Sequence, residues 1–174
     1  MKRFTWLLVL NFVLLMSFGM SVQAEPKEMT EVVTAAGYVT PEMLPLNGGR
    51  YRVNFDAIGM LLSDTGSGLF HQATSRILGG FTLEKDKYND EQGWGVYTLQ
   101  DGDKVFFTST GAGRLEPLGV GEGKVIETFT GGTGKCTGIK GSSTFTRHGL
   151  RPVYVPTEMK GLFYMKGTIK YTLP

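Results

Sequence analysis

Cysteine and proline are both scarce in this chain, and each shortage excludes a class of protein. The single cysteine, Cys136, cannot pair within the chain, so a disulfide-stabilised scaffold is excluded. The 7 prolines and the lack of a three-residue glycine period exclude a collagen-like chain, although glycine is abundant at 25 residues. A length of 174 residues indicates one domain, since roughly 100–200 residues per domain is usual.

Net positive charge is also lacking once the N-terminal segment is set aside. Lys2 and Arg3 precede an apolar run over residues 4–16, and Val22-Gln23-Ala24 forms a cleavage motif, so residues 1–24 are predicted to be a signal peptide. We expect export to the periplasm or the extracellular space after cleavage near Ala24. Without Lys2 and Arg3 the 18 basic residues become 16, equal to the 16 acidic ones, and no nucleic-acid partner is expected. No second long apolar run follows, so no transmembrane segment is expected in the mature chain.

Residues 25–47 differ in composition from the rest of the mature chain. They carry Pro26, Pro41 and Pro45, and they are predicted to form an N-terminal arm, either extended or with one short helix. Asn47-Gly48-Gly49 predicts a turn after it. The remaining residues, 48–174, are predicted to form a β-barrel domain.

The barrel prediction rests on a period of two in the hydrophobic pattern, which is typical of half-buried strands. No convincing helical period occurs after residue 47, and the strands follow one another at regular spacing. These features indicate an all-β fold, an antiparallel barrel or sandwich. A closed barrel of about eight strands is favoured, because closure removes strand edges and interior glycines suit sharply coiled strands. Its interior is filled by side chains or holds one small ligand. The alternating sets are Tyr51, Val53, Phe55, Ala57; Ile77, Gly79, Phe81, Leu83; Ile139, Gly141, Ser143, Phe145; and Phe163, Met165, Gly167, Ile169, Tyr171, Leu173.

The clearest local structure is a hairpin around Asp101-Gly102, predicted as a two-residue turn with positive φ at both positions. This register places one apolar set on one face of the hairpin and a second set on the other. Because a barrel wall has one inner face, the second set needs a cover, either the arm or another subunit, which favours a homo-oligomer. The two sets are Trp94, Val96, Val105, Phe107 and Tyr97, Leu99, Phe106.

Two motifs that suggest catalysis have ordinary structural interpretations. Residues 130–137 look like a phosphate-binding loop, but Phe129 stands where its first glycine belongs and Cys136 where Ser or Thr should follow the lysine. Asp64-Thr65-Gly66-Ser67 matches the aspartic-protease tetrad, which would need a symmetric dimer to pair two carboxylates. Both stretches have the composition of turns and loops.

A metal site is the remaining candidate for chemistry. His71, His148 and Cys136 are the residues that could supply it, but no His-x-His or Cys-x-x-Cys spacing supports one. We therefore expect no metal and no cofactor, and the sequence identifies no catalytic residue.

The chain from about residue 70 onwards resembles the allene oxide cyclase barrel-like and dirigent-like group of secreted β-barrels, including its bacterial members. The resemblance implies an eight-stranded, calycin-related barrel with a small interior cavity, and it transfers no catalytic residue to a position here. It rests on segments that occur in the same order: residues 71–75, the hairpin over residues 93–106, Gly131-Gly132-Thr133-Gly134-Lys135 with Gly138-Ile139-Lys140-Gly141, and residues 166–174.

Two functions follow from these expectations. The first is a secreted barrel that binds a small apolar or aromatic molecule or serves as an interaction module. The alternative is an isomerase-like, cyclase-like or dirigent-like catalyst that confines a reactive hydrophobic substrate. A barrel filled by aromatic side chains favours a structural role, whereas a pocket with a buried carboxylate or arginine favours the catalyst. The residues expected to line the cavity or the core are Tyr51, Phe55, Phe81, Trp94, Phe107 and Phe145.

Overall fold

The computed structural model describes residues 27–115, 121–155 and 158–174, without the side chains of residues 151–155, 158 and 159. The predicted signal peptide, residues 1–24, lies outside this part of the chain. The described residues form eight strands, with one short 3₁₀ turn, Gly134–Cys136, between β6 and β7. In chain order the strands are β1 Glu28–Leu46, β2 Arg50–Ser63, β3 Thr74–Glu84, β4 Lys87–Thr98, β5 Lys104–Leu115, β6 Gly121–Gly132, β7 Lys140–Val155 and β8 Glu158–Thr172.

The eight strands close into an antiparallel barrel in which each strand pairs with the next and β8 pairs with β1. This confirms the predicted all-β class and the closed barrel. The period of two in the hydrophobic pattern reflects the two faces of the barrel wall, because alternate residues of a strand point to opposite faces of the sheet. On β2, for example, Val53, Ala57 and Leu61 are buried whereas Ile58 and Met60 are exposed. In the described residues no helix is long and apolar enough to cross a membrane.

The prediction of an arm over residues 25–47 is wrong from Glu28 onwards. Glu28–Leu46 is strand β1, which pairs with β2 and β8, so the barrel domain begins there and not at residue 48. The prolines that suggested an arm are tolerated because Pro41 and Pro45 lie beyond Val39, the last β1 residue paired with β8. In that stretch β1 pairs with β2 alone, and the missing N–H of proline costs no ladder bond on the β8 side.

The hairpin between β4 and β5 has a different register from the predicted one. The Leu99 N–H donates to the Asp103 carbonyl, so the turn contains three residues, 100–102, instead of two. Gly102 has a φ of +90°, whereas Asp101 is not among the described residues with positive φ. A one-residue slip moves side chains to the opposite face of a sheet. The inner side of this hairpin carries Tyr97, Leu99, Val105 and Phe107, and its outer side carries Trp94, Val96 and Phe106.

One end of the barrel is closed by the connection between β2 and β3, residues 64–73. Phe70 from this connection is fully buried, and its ring lies 5.4–5.6 Å from the rings of three inward aromatic residues, Tyr97, Phe129 and Tyr171. Glu31 on β1 anchors the connection, because its carboxylate accepts the backbone N–H of Leu69 at 2.7 Å and that of Phe70 at 3.2 Å. The closed half of the barrel is therefore a packed core.

Candidate functional site: a cavity with one polar cluster

The half of the barrel away from Phe70 contains a cavity of about 430 Å³. It extends to the strand ends, where the exposed residues Lys85 and Glu122 contribute to its rim. Most of its wall is apolar, since β1, β2, β3 and β8 direct aliphatic and aromatic side chains inwards. Among them are Val39, Val53, Phe55, Phe81, Leu83 and Phe163.

The polar side of the cavity is a cluster formed by Arg147 on β7 with Glu91 and Tyr88 on β4. Two guanidinium nitrogens of Arg147 donate to the two carboxylate oxygens of Glu91, at 2.8 and 2.6 Å. The Tyr88 hydroxyl accepts a further hydrogen bond from Arg147 Nη2. Glu91 is only 2% exposed, whereas the Arg147 side chain keeps 23% exposure. We call Arg147, Glu91 and Tyr88 the polar cluster.

Glycines on β5 and β6 make this cluster possible. Tyr88 pairs with Gly113, Gly113 with Gly123 and Gly123 with Arg147, so two glycines separate Tyr88 from Arg147 across the wall. A methyl group at Gly113 would lie 2.5 Å from the Tyr88 hydroxyl oxygen, and one at Gly123 would lie closer still. A distance below 3.0 Å is a clash. The lack of side chains at these positions lets Tyr88 extend across two strands to its partner.

The electrostatics of the polar cluster favour a charged arginine beside a neutral phenol. Burial alone lowers the pKa of Arg147, but the adjacent Glu91 carboxylate outweighs it, and the net shift is upwards. Burial raises the pKa of Tyr88, so its hydroxyl stays protonated at neutral pH. The bidentate Arg147–Glu91 pair cancels its own charge, which is the arrangement that buried charges require.

A second buried polar group lies outside the cavity, in the packed half of the barrel. Glu127 on β6 has no exposed surface, and its Oε2 accepts hydrogen bonds from the Tyr97 hydroxyl and the Ser143 hydroxyl. Its Oε1 has no hydrogen-bond partner in the described part of the chain. Burial raises the pKa of Glu127 to about 7, against the lowering effect of the two hydroxyl donors.

The six residues predicted to line the cavity or the core fall into three groups. Phe55 and Phe81 line the cavity, while Phe107 and Phe145 belong to the packed core of the closed half. Tyr51 is exposed. The placement of Trp94 inside is wrong: its side chain is on the outer surface at 64% exposure, because Tyr97 and Leu99 take the inner face of β4.

The histidines and the cysteine considered for metal binding are not brought together. His71 lies in the closing connection and its Nδ1 accepts the Ser63 backbone N–H at 3.2 Å, whereas His148 stacks on Tyr164 at 4.7 Å between ring centroids. Cys136 is buried in the 3₁₀ turn. Among the residues with described side chains, no three of His, Cys, Asp or Glu form a group that could hold a metal ion.

The tetrad lies in the connection between β2 and β3, whereas the glycine-rich stretch, residues 130–137, begins at the end of β6 and continues into the connection to β7. Asp64 of the tetrad pairs with Lys166 at 3.2 Å, with both side chains partly exposed. The glycine-rich stretch forms the 3₁₀ turn Gly134–Cys136, where Lys135 donates to Asp101 of the neighbouring hairpin at 2.5 Å. Asp64 and Lys135, the charged residues of the two motifs, therefore both form ion pairs with other parts of the barrel.

The polar cluster was not identified from the sequence, although a signal for it existed. The alternation through Ser143 and Phe145 continues to Arg147, and the alternation through Tyr97 and Leu99 extends back to Glu91. A charged residue in phase with an inward apolar set is the pattern that predicts a buried polar site. The pairing of Arg147 with Glu91, 56 residues away, depends on the barrel.

No family model and no curated protein matches this sequence. The cavity and its polar cluster are therefore the features that bear on function.

Proposed function

We propose that this protein binds one small, mostly apolar molecule in the open half of its barrel. The observation that carries the proposal is the cavity of about 430 Å³, with apolar walls and one polar cluster. Small-molecule sites in proteins are concave, largely apolar, roughly 300–1,000 Å³ in volume, and carry a few placed polar groups. The packed aromatic residues around Phe70 close the other end, so the space suits a bound ligand better than a passage.

Binding of a neutral fluorescent probe, N-phenyl-1-naphthylamine, tests this proposal. We expect the probe to gain fluorescence with the protein, because the cavity removes it from water. Val39→Trp, which fills the cavity from β1, is expected to weaken probe binding at least tenfold. Ile58→Trp is the matched control, since Ile58 is exposed on the outer surface of neighbouring β2 and the same substitution there leaves the cavity open.

Two results would contradict ligand binding. One is the absence of saturable probe fluorescence with the folded protein. The other is an equal effect of Val39→Trp and Ile58→Trp, which would place the probe on the outer surface. If the probe does bind in the cavity, mass spectrometry of small molecules extracted from the purified protein would identify the natural ligand.

A second candidate function, catalysis of an isomerisation or cyclisation, is favoured by one observation. The cavity contains a buried carboxylate and an arginine in direct contact, Glu91 and Arg147, so a reactive apolar substrate would meet polar groups while shielded from water. A binding protein has the same need for orientation, so this feature alone does not replace the first proposal.

Comparison of extracted molecules separates the two functions, because isomers share a mass but differ in chromatographic retention. A catalyst predicts that the double variant Glu91→Leu with Arg147→Met accumulates an unreacted isomer of the molecule found in the unaltered protein. A binding protein predicts either the same molecule or none. The double change removes both charges together, which avoids leaving one buried charge unpaired.

We further propose that the protein is exported and that it is related to the allene oxide cyclase barrel-like and dirigent-like group. The N-terminal pattern at residues 1–24 supports secretion to the periplasm or beyond, and N-terminal sequencing of the exported protein is expected to begin at Glu25. A retained Met1 in a washed membrane fraction would contradict this. Kinship with the allene oxide cyclase barrel-like and dirigent-like group rests on the sequence segments quoted above, and the eight-stranded barrel is compatible with it.

A further inference from the structure

We propose that the ligand of the cavity carries an uncharged hydrogen-bond acceptor, such as a ketone or ether oxygen, which Arg147 binds, and that carboxylate ligands are disfavoured. This rests on the proposed ligand-binding function and specifies the chemical class of the ligand. Three features of the cavity support this proposal: the donors that Arg147 has left, the charge beside them, and the character of the remaining wall.

Arg147 retains donors that its protein partners do not use. A guanidinium group has five N–H bonds, and three of them are directed at the two Glu91 oxygens and the Tyr88 hydroxyl. Within the described residues no acceptor is found for the other two. Arg147 lines the cavity and its side chain keeps 23% exposure, so a ligand oxygen in the cavity has a donor to meet.

The charge beside these donors selects against an anion. Glu91 is 2% exposed and holds Arg147 through both carboxylate oxygens, so the positive charge is already neutralised at short range. A carboxylate ligand would have to leave water and then lie beside the Glu91 carboxylate, without an unpaired cation in the polar cluster to compensate. An uncharged oxygen loses less on leaving water and still accepts the hydrogen bond.

The charged groups at the rim do not reverse this preference. Lys85 contributes a positive charge there, but Glu122 contributes a negative one, and Arg114 is bound to Asp86 at 2.7 Å. The wall next to the polar cluster is apolar, since the ring of Phe81 lies 4.5 Å from that of Tyr88 and packs with Val53 and Phe55 from β2. A fitting ligand therefore has an apolar or aromatic body and one uncharged polar atom placed at Arg147.

Three naphthalenes with matched bodies test the inference by displacement of N-phenyl-1-naphthylamine at pH 7.5. They are 2-acetylnaphthalene, a ketone; 2-ethylnaphthalene, a hydrocarbon; and 2-naphthoate, a carboxylate. We expect the ketone to bind at least tenfold more tightly than the carboxylate. The double variant Glu91→Leu with Arg147→Met is expected to weaken ketone binding about tenfold while changing hydrocarbon binding less than twofold.

Each outcome bears on one of the two claims. Probe binding with equal or tighter binding of 2-naphthoate overturns the inference but leaves the proposed function intact. An equal loss of ketone and hydrocarbon affinity in the double variant does the same, because Arg147 would then act only through the shape of the cavity. No binding of the probe or of any naphthalene contradicts the proposed function itself. If the double variant does not fold, the ketone and carboxylate comparison on the unaltered protein still decides.

Discussion

Glu127 is a carboxyl group whose ionisation is opposed by its surroundings in the packed half of the barrel. It is fully buried, its Oε1 has no partner in the described residues, and burial raises its pKa from 4.5 to about 7. The folded protein therefore holds a proton on Glu127 at pH values where the unfolded chain has lost it. Stability contributed by this group is greatest below about pH 4.5 and is lost as the pH rises towards about 7.

We predict that Glu127→Gln removes this part of the pH dependence. The amide is uncharged, and its oxygen can still accept from the Tyr97 and Ser143 hydroxyls. Between pH 5 and pH 8 the unaltered protein is expected to lose on the order of 2–3 kcal/mol more free energy of unfolding than the variant does. Urea unfolding at both pH values measures the difference. Parallel pH profiles would contradict the prediction, and Glu122→Gln, an exposed carboxylate on the same strand, is the matched control.

At the scale of single elements, the β4–β5 hairpin depends on one backbone conformation. Gly102 has a φ of +90°, and a Cβ atom there would meet no atom within 4 Å, so backbone strain is the expected cost of substitution. We predict that Gly102→Val lowers the free energy of unfolding by roughly 1–3 kcal/mol. Asparagine tolerates positive φ better, so Gly102→Asn is expected to cost less. Equal denaturant midpoints for the two variants would show that strain at Gly102 is not limiting.

The connection that closes the barrel is the second element with a testable role. Phe70 fills the end of the barrel against Tyr97, Phe129 and Tyr171. We predict that Phe70→Ala lowers the free energy of unfolding by about 3–5 kcal/mol, the usual cost of truncating a buried phenylalanine. Ile126→Ala is the control, since Ile126 is exposed on the outer wall of β6 and its truncation is expected to cost within about 0.5 kcal/mol. A similar small loss at both positions would mean that the connection contributes little to the core.

At the scale of the whole molecule, the outer wall over β2–β5 is unusually apolar. Large hydrophobic side chains are exposed there, and the register makes some of them neighbours, as with Leu78 beside Trp94. Residues 28–46, which the sequence predicts to be part of an arm, form strand β1 of the wall and therefore do not cover this surface. The exposed large hydrophobic residues on the outer face of these strands include Ile58, Met60, Leu62, Leu78, Trp94 and Phe106.

We predict that this surface joins two or more copies of the mature protein at micromolar concentration. The closed barrel has no free strand edges, so the contact would form between side chains of the wall and not by strand addition. Trp94→Lys is expected to shift the protein to a monomer in sedimentation velocity experiments. Leu44→Lys, an equally exposed apolar position on β1, is the control and is expected to leave association unchanged. A monomeric unaltered protein would defeat the prediction.

The sequence by itself favoured a closed barrel over a sandwich, because closure removes strand edges. It also determined the strand content and much of the inner face, because these follow from a local period of two. Phe55, Phe81, Phe107 and Phe145 are all in the interior for that reason. Local pattern failed where pairing decides the outcome. The prolines of residues 28–46 predict an arm, but these residues pair as strand β1. A two-residue turn predicts Trp94 on the inner face, but the actual turn has three residues, and this changes the hairpin register.

Only the tertiary structure brought Tyr88 and Glu91 of β4 against Arg147 of β7, across two intervening strands. No local spacing records that contact, since it requires the register of three strand pairs and the bare backbone at Gly113 and Gly123. The division of the interior into a packed half and a cavity has the same origin. The division depends on where residues 64–73 fold back over the end of the barrel. Phe70 is held in the core by the hydrogen bonds that the backbone N–H groups of Leu69 and Phe70 donate to Glu31 on β1.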